Sequence, residues 1–150
     1  LISKEIEKRD NIVNLRVFGI YGYGESPSRV TSSIIEGNLN KKDIILKQNV
    51  LYDFIYIDDF CNIVEKFVRE FPNEKFINVT PTDSIEIVKL AELVNNFSDF
   101  KSNIVIKESG LNKEYSGDNS RLMSILGNFE FTPYAEGMKA FYERLKNVKL

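Results

Sequence analysis

The residues of this 150-residue sequence that are equipped for chemistry crowd into two stretches. In the first, Gly19, Gly22 and Gly24 enclose Tyr21 and Tyr23, giving a loop whose backbone can turn sharply and approach a ligand closely. Arg29 follows, either as a planar fork able to grip a phosphate or as a plain surface charge. The second stretch, Asp53-Phe54-Ile55-Tyr56-Ile57-Asp58-Asp59-Phe60, is preceded by Tyr52 and ends in two adjacent carboxylates. As an acid-base or metal pair, Asp58 and Asp59 would have to point the same way. Adjacent residues at a strand end diverge, and neither a histidine nor a third carboxylate stands at ligand spacing, so both carboxylates are read as helix-capping groups. Tyr21, Tyr23 and Tyr52 are suited to stacking on or hydrogen-bonding a sugar or base, and equally to filling a core. Arg121 is read as solvated.

The totals narrow the chemistry further. The sequence contains no histidine, which removes histidine acid-base catalysis, histidine-dependent nucleophiles and histidine-ligated metals. A single cysteine, Cys61, excludes an internal disulfide and a thiolate cluster, and fits a reducing compartment. With 22 acidic against 20 basic residues the net charge is -2, and no basic block is present, so neither nucleic acid nor an anionic membrane is an expected partner. No apolar run is long enough for a membrane span, and a cytoplasmic location is expected. At 43% hydrophobic and 28% charged residues, the chain reads as one domain, residues 1–150. It opens in mid-pattern, with Ile2 and Ile6 like the tail of a longer helix, which suggests a piece of a larger protein.

The elements that would position these groups alternate in type. A strand is expected over 12–18, a helix from Pro27 to about Gly37, and a strand over 43–47 that could form a hairpin with the 53–57 strand across Gln48-Asn49. From Phe60 the period changes, and Phe60, Ile63, Val64, Phe67, Val68 and Phe71 make one apolar helix face that Pro72 stops. A strand over 75–80 precedes Asp83-x-x-Glu86, read as a capping box for a helix carrying Ile87, Leu90, Ala91, Val94 and Phe97. Ile104-Val105-Ile106 reads as a short buried strand. Asp118 caps a short helix ended by Gly127, and Thr132-Pro133 opens the last helix. Strands separated by helices predict an α/β arrangement with parallel pairing.

Gly19-x-x-Gly22-x-Gly24 follows a strand and precedes a helix, with Asp43 near the distance of a ribose-binding acid. The spacing reverses G-x-G-x-x-G, however, and Glu25-Ser26-Pro27-Ser28 intervenes so that the glycines do not open the helix, and the loop reads as a ligand-lining turn.

Taken in order, the motifs resemble the C-terminal part of the extended short-chain dehydrogenase/reductases, the NAD-dependent epimerases and dehydratases of nucleotide sugars. Residues 15–24, LRVFGIYGYG, are similar to that family's L-R-x-x-N-x-Y-G-P-G, and residues 53–59 to its D-F-[IV]-[YH]-[VI]-D-D. Phe76-Ile77-Asn78-Val79 resembles Y-N-[VI], and residues 84–93 resemble the helix that follows it. Asp118-Asn119-Ser120-Arg121, Leu126-Gly127, Pro133 and Glu136-Gly137 resemble the family's closing D-x-S-[KR], L-G, P and E-G. There are departures. Gly19 stands for asparagine, Tyr23 for proline, and Tyr52 for the arginine that often grips the diphosphate, which makes Arg29 the better candidate for that contact. T-G-x-x-G-x-x-G does not occur, and the resemblance places the family's catalytic tyrosine before residue 1.

The resemblance implies the last strands of a Rossmann-type sheet plus a small substrate-binding C-terminal α/β region, belonging to an NAD(P)-dependent enzyme whose cofactor-binding half lies elsewhere. It implies Phe18, Gly19 and Tyr21 at the cofactor, Gly22, Arg29 and Tyr52 at a nucleotide-diphosphate sugar, and no catalytic or metal-binding residue in this chain. No cofactor is expected on the chain alone, and a homodimer is. A stand-alone nucleotide-sugar or protein-binding module is the alternative.

Overall fold

The computed structural model describes residues 2–148. Helix α1 (Ile2–Glu7) precedes β1 (Asn14–Val17), which runs through Phe18 and Gly19 into β2 (Ile20–Tyr21). Helix α2 (Val30–Leu39) leads to β3 (Ile44–Asn49), β4 (Leu51–Tyr52) and β5 (Ile55–Tyr56), and β5 passes directly into α3 (Ile57–Arg69). After β6 (Phe76–Val79) come β7 (Ile85–Glu86), α4 (Ile87–Phe97) and β8 (Ile104–Leu111). Helices α5 (Ser120–Leu126) and α6 (Tyr134–Val148) complete the chain.

Parallel pairing dominates, as the alternation of strands and helices requires. β1 pairs with β6, from Asn14 opposite Phe76 to Val17 opposite Val79. β2 pairs with β5, and β3 with β8, both parallel, while β4 and β7 are antiparallel. The hairpin expected across Gln48-Asn49 does not form. Both residues continue β3, whose partner is β8, because Ile44 and Leu46 turn inward against the helices and leave no chain reversal there.

Among the described residues the buried apolar side chains form two clusters. Ile63 and Phe67 of α3 meet Ile77 and Val79 of β6 and Leu122 and Leu126 of α5. Ile34 and Ile35 of α2, Leu90, Ala91 and Val94 of α4, and Met138 and Phe141 of α6 form the other, over β3. Phe54 joins the second cluster and Ile55 the first. Successive side chains of an extended segment point to opposite sides, so this dipeptide stitches the two cores together.

Several local expectations are corrected by tertiary contacts. Asp58 and Asp59 sit inside the first turn of α3, and the N-cap residue, Tyr56, makes no side-chain cap bond. Asp59 instead accepts from the Thr132 N–H and hydroxyl, each at 2.8 Å, and pins the entry to α6. The Asp83-x-x-Glu86 box is not made, because Ile85 and Glu86 are drawn into pairing with β4. Asn49 caps α4 from β3, its side-chain oxygen accepting from the Val88 N–H at 3.1 Å. Val68 and Phe71 extend past the buried stripe of α3 and are exposed, and the helix ends at Arg69, ahead of Pro72. β8 is longer than the predicted strand and half-buried to exposed rather than buried. Helix α2 starts at Val30, not Pro27, since the Arg29 N–H closes a turn onto the Ser26 carbonyl at 2.9 Å.

The polar interior rests on two side chains. Asn38 donates to Asn95, Ser102 and the Phe100 carbonyl and accepts from the Tyr142 hydroxyl, joining α2, α4 and α6. Asp53, 2% exposed, accepts from the Thr80 hydroxyl at 2.8 Å, the Ser84 hydroxyl and the Gly117 N–H at 2.8 Å. Removing a buried charged acceptor leaves its donors unsatisfied. Asp53→Ala is therefore expected to cost about 3 kcal/mol in urea unfolding, and Asp53→Asn, which keeps one carbonyl acceptor, clearly less.

Candidate functional site

The glycine loop is built on the end of β2 and packs on the start of α3. Gly22 has φ +145°, and a Cβ there would lie 2.3 Å from Ile57 Cγ2, so only glycine lets the loop lie so close to the helix. Its neighbour Tyr21 turns inward and is 1% exposed, against Phe54, Tyr56 and Tyr134, with its hydroxyl just above Gly137. Among the described residues that hydroxyl has no hydrogen-bond partner, and burial above all drives its pKa far upward. Tyr21 thus supports the loop from beneath. Tyr23 is exposed, and Arg144 of α6 lies over its ring at 4.7 Å.

Glu25 fixes the far side of the loop. Its side chain is 9% exposed, its carboxylate accepts from the Thr31 hydroxyl at 2.7 and 2.6 Å, and its backbone N–H donates to the Gly22 carbonyl at 3.2 Å. Arg29 lies 3.8 Å from the same carboxylate but keeps a half-exposed side chain. Arg29 therefore forms the N-cap position of α2, held loosely at the loop's rim with its guanidinium toward solvent.

An aromatic wall adjoins Gly19, where an added Cβ would lie 2.8 Å from the Tyr52 ring. Tyr52 stacks on Phe54 at 4.1 Å and leans on Tyr115 at 4.7 Å, and its hydroxyl donates to the Phe18 carbonyl at 3.2 Å. Burial raises the Tyr52 pKa, helped by Tyr115 and opposed by the positive charge of Arg29, so Arg29 and Tyr52 share one electrostatic environment. Phe18 contacts Tyr115 at 5.5 Å and lies over Gly117, where a Cβ would come within 2.3 Å of its ring. Tyr115 and Gly117 complete this wall without having been signalled by spacing or motif, since both lie in an irregular segment. Glu25 was missed too, although a carboxylate between a glycine loop and a helix start was a readable cue.

The Phe18 carbonyl is taken by Tyr52 and the Gly19 carbonyl by the Ile55 N–H, and Tyr21 is enclosed. Phe18 is half-buried, whereas Gly19 and Tyr21 are buried. Among the described residues no group of histidine, cysteine or carboxylate side chains could hold a metal ion.

Burial, the largest effect, pushes the Glu25 carboxyl above its ordinary 4.5 despite the opposing Thr31, Gly22 and Arg29 contacts. The folded state therefore favours protonated Glu25. Its contribution to stability is full below the unfolded pKa and is lost as pH rises through the higher folded value. Glu25→Gln is expected to gain stability relative to the unsubstituted chain as pH is raised from below 4.5 to neutrality, measured by denaturant midpoints across pH.

The comparisons with known proteins agree with this architecture. A GDP-6-deoxy-D-talose 4-dehydrogenase of Aggregatibacter actinomycetemcomitans is 22% identical over 139 residues, covering 88% of this chain and 47% of that protein. The chain thus spans about half the length of the curated relative it matches. A UDP-glucuronic acid 4-epimerase from Bacillus cereus, solved with UDP-glucuronic acid and NAD, superposes with a TM-score of 0.74 at 22% identity, over 91% of this chain and 46% of that one. A UDP-N-acetylglucosamine 4-epimerase from the same organism gives a TM-score of 0.78 at 17% identity, over 97% and 50%. The mixed α/β fold is therefore that of Rossmann-like epimerase/dehydratase structures. Residues 3–80 match the NAD dependent epimerase/dehydratase family, and the chain belongs to that family.

Proposed function

We propose that this chain is the substrate-binding portion of an NAD(P)-dependent nucleotide-sugar epimerase, dehydratase or reductase, and that it is inactive by itself. One observation carries the reading: Glu25 joins the Gly22 turn to the half-exposed Arg29, whose positive charge reaches Tyr52. In this role Arg29 meets the diphosphate through its planar fork, which exchanges a loose contact with Glu25 for charge-assisted bonds. Tyr52 lends an aromatic face to the sugar or base, and Gly22 lets the ligand approach the backbone. When bound to the intact enzyme, NAD(P) supplies the hydride acceptor and donor. In this chain Phe18 walls that side, Gly19 brings the backbone against Tyr52, and Tyr21 holds the loop up.

The Y-x-x-x-K spacing occurs once, at Tyr142 and Lys146 on α6, but Tyr142 is 6% exposed and its hydroxyl donates to Asn38 at 3.2 Å, so in this reading the pair serves packing and does not move the proton that accompanies hydride transfer. The family membership and the half-length match favour this reading over a stand-alone binding module. We place the single domain in the cytoplasm, in keeping with its exposed free Cys61; no helix among the described residues is long and apolar enough to cross a membrane. The exposed Val68 and Phe71, together with the exposed length of β8, favour self-association as a homodimer.

Titration calorimetry with UDP-, GDP- and dTDP-sugars is expected to show binding of at least one, weakened about tenfold by Arg29→Ala, with no reduced nicotinamide formed when NAD(P) is added. Binding indifferent to Arg29→Ala, absence of binding to all three, or turnover by the chain alone would contradict the proposal. Light scattering is expected to give twice the chain mass, and a monomer at high concentration would remove the homodimer.

A further inference from the structure

A second cavity lies away from this opening. It is a cleft of about 400 Å³ between the loop after β6, the start of α3 and the entry to α6, and it contains none of the loop residues 18–25, nor Arg29 or Tyr52. Five rings line it: Phe54, Tyr56, Phe129, Phe131 and Tyr134. They are fixed in place. The Tyr134 hydroxyl donates to the Asp83 carbonyl at 2.9 Å and accepts from the Phe54 N–H at 3.3 Å, and Phe129 and Phe131 meet edge to face at 5.1 Å.

The same cleft carries the carboxylates of Asp59, Asp83 and Glu130, and no lysine or arginine lines it. Asp59 is 5% exposed and bonded to Thr132, and none of the three takes part in an ion pair among the described residues. Arg144, whose charge reaches Tyr56, is stacked on Tyr23 instead. Aromatic faces carry negative potential, and carboxylates unmatched by a cation add to it. A cleft walled by several rings and three acids therefore attracts positive charge on a flat or compact apolar carrier.

We propose that this cleft binds a small organic monocation, an alkylguanidinium or alkylammonium, seated against the rings and neutralised by the carboxylates. The guanidinium form fits best, since its plane can stack on a ring while its edge donates to carboxylate oxygens. This inference does not depend on the nucleotide-sugar reading, because the cleft contains none of Gly22, Arg29 and Tyr52.

The test is an amide chemical-shift titration of the 150-residue chain with butylguanidinium, using butylurea as the uncharged isostere. Butylguanidinium is expected to move the Asp83, Glu130 and Thr132 amides saturably, and butylurea to bind about tenfold more weakly. The double variant Asp83→Asn, Glu130→Gln, which alters two exposed side chains, is expected to weaken butylguanidinium about threefold with an unchanged circular dichroism spectrum. Phe131→Leu, which removes one ring and keeps an apolar wall, is expected to weaken the cation and leave butylurea unaffected. Equal binding of the two probes, absence of saturable shifts, or unchanged affinity in the double variant would overturn the proposal.

Discussion

A single buried carboxylate organises the chain around its site. Asp53 stands where β4 gives way to β5, and its oxygens gather Thr80 at the end of β6, Ser84 before β7 and the backbone of Gly117. A charge taken out of water is tolerable only when fully hydrogen-bonded, so the three donors must arrive together or the acid is a liability. That requirement ties the ends of three otherwise separate segments to one atom group. Phe54 and Ile55 then diverge into the two cores, so polar satisfaction and apolar packing are fixed by three consecutive residues.

The site inherits its shape from that junction. Gly117, held by Asp53, lies under Phe18, and Phe18 receives the Tyr52 hydroxyl at its carbonyl. On the other side, Glu25 holds the Gly22 turn and keeps Arg29 in range without engaging it tightly. Exposed ion pairs contribute little, so the arginine can exchange this partner for a phosphate at small cost. The opening is thus rigid at its aromatic wall and adaptable at its charged rim.

How much of this was legible in the sequence depended on the range of the interaction. Periodicity located α4 and most of the α3 stripe because helix burial repeats locally, and β6 was placed by its short apolar run. The hairpin and the capping box gave way to strand pairing, of β3 with β8 and of β4 with β7. The paired caps assumed that a polar residue serves its nearest neighbours, whereas Asp59, like Asn49 and Asp53, bonds to a segment distant in the chain. Gly22 and Arg29 were marked by residue type, while Tyr115 and Gly117 became part of the wall only through the fold. Tyr21 read equally as a ligand contact or a core residue and is buried beneath the loop, since a strand-end tyrosine shows the same sequence signature in either role.

The claim at the centre of this account is that the Gly22 turn, Arg29 and Tyr52 together receive a sugar diphosphate. Amide and side-chain shift mapping of the chain with a bound nucleotide sugar addresses it directly. The account predicts saturable shifts concentrated at Gly22, Gly24, the Arg29 guanidinium and Tyr52, with the interior of α4 unmoved. Shifts confined to other surfaces, with the Arg29 guanidinium unchanged at saturation, would contradict it.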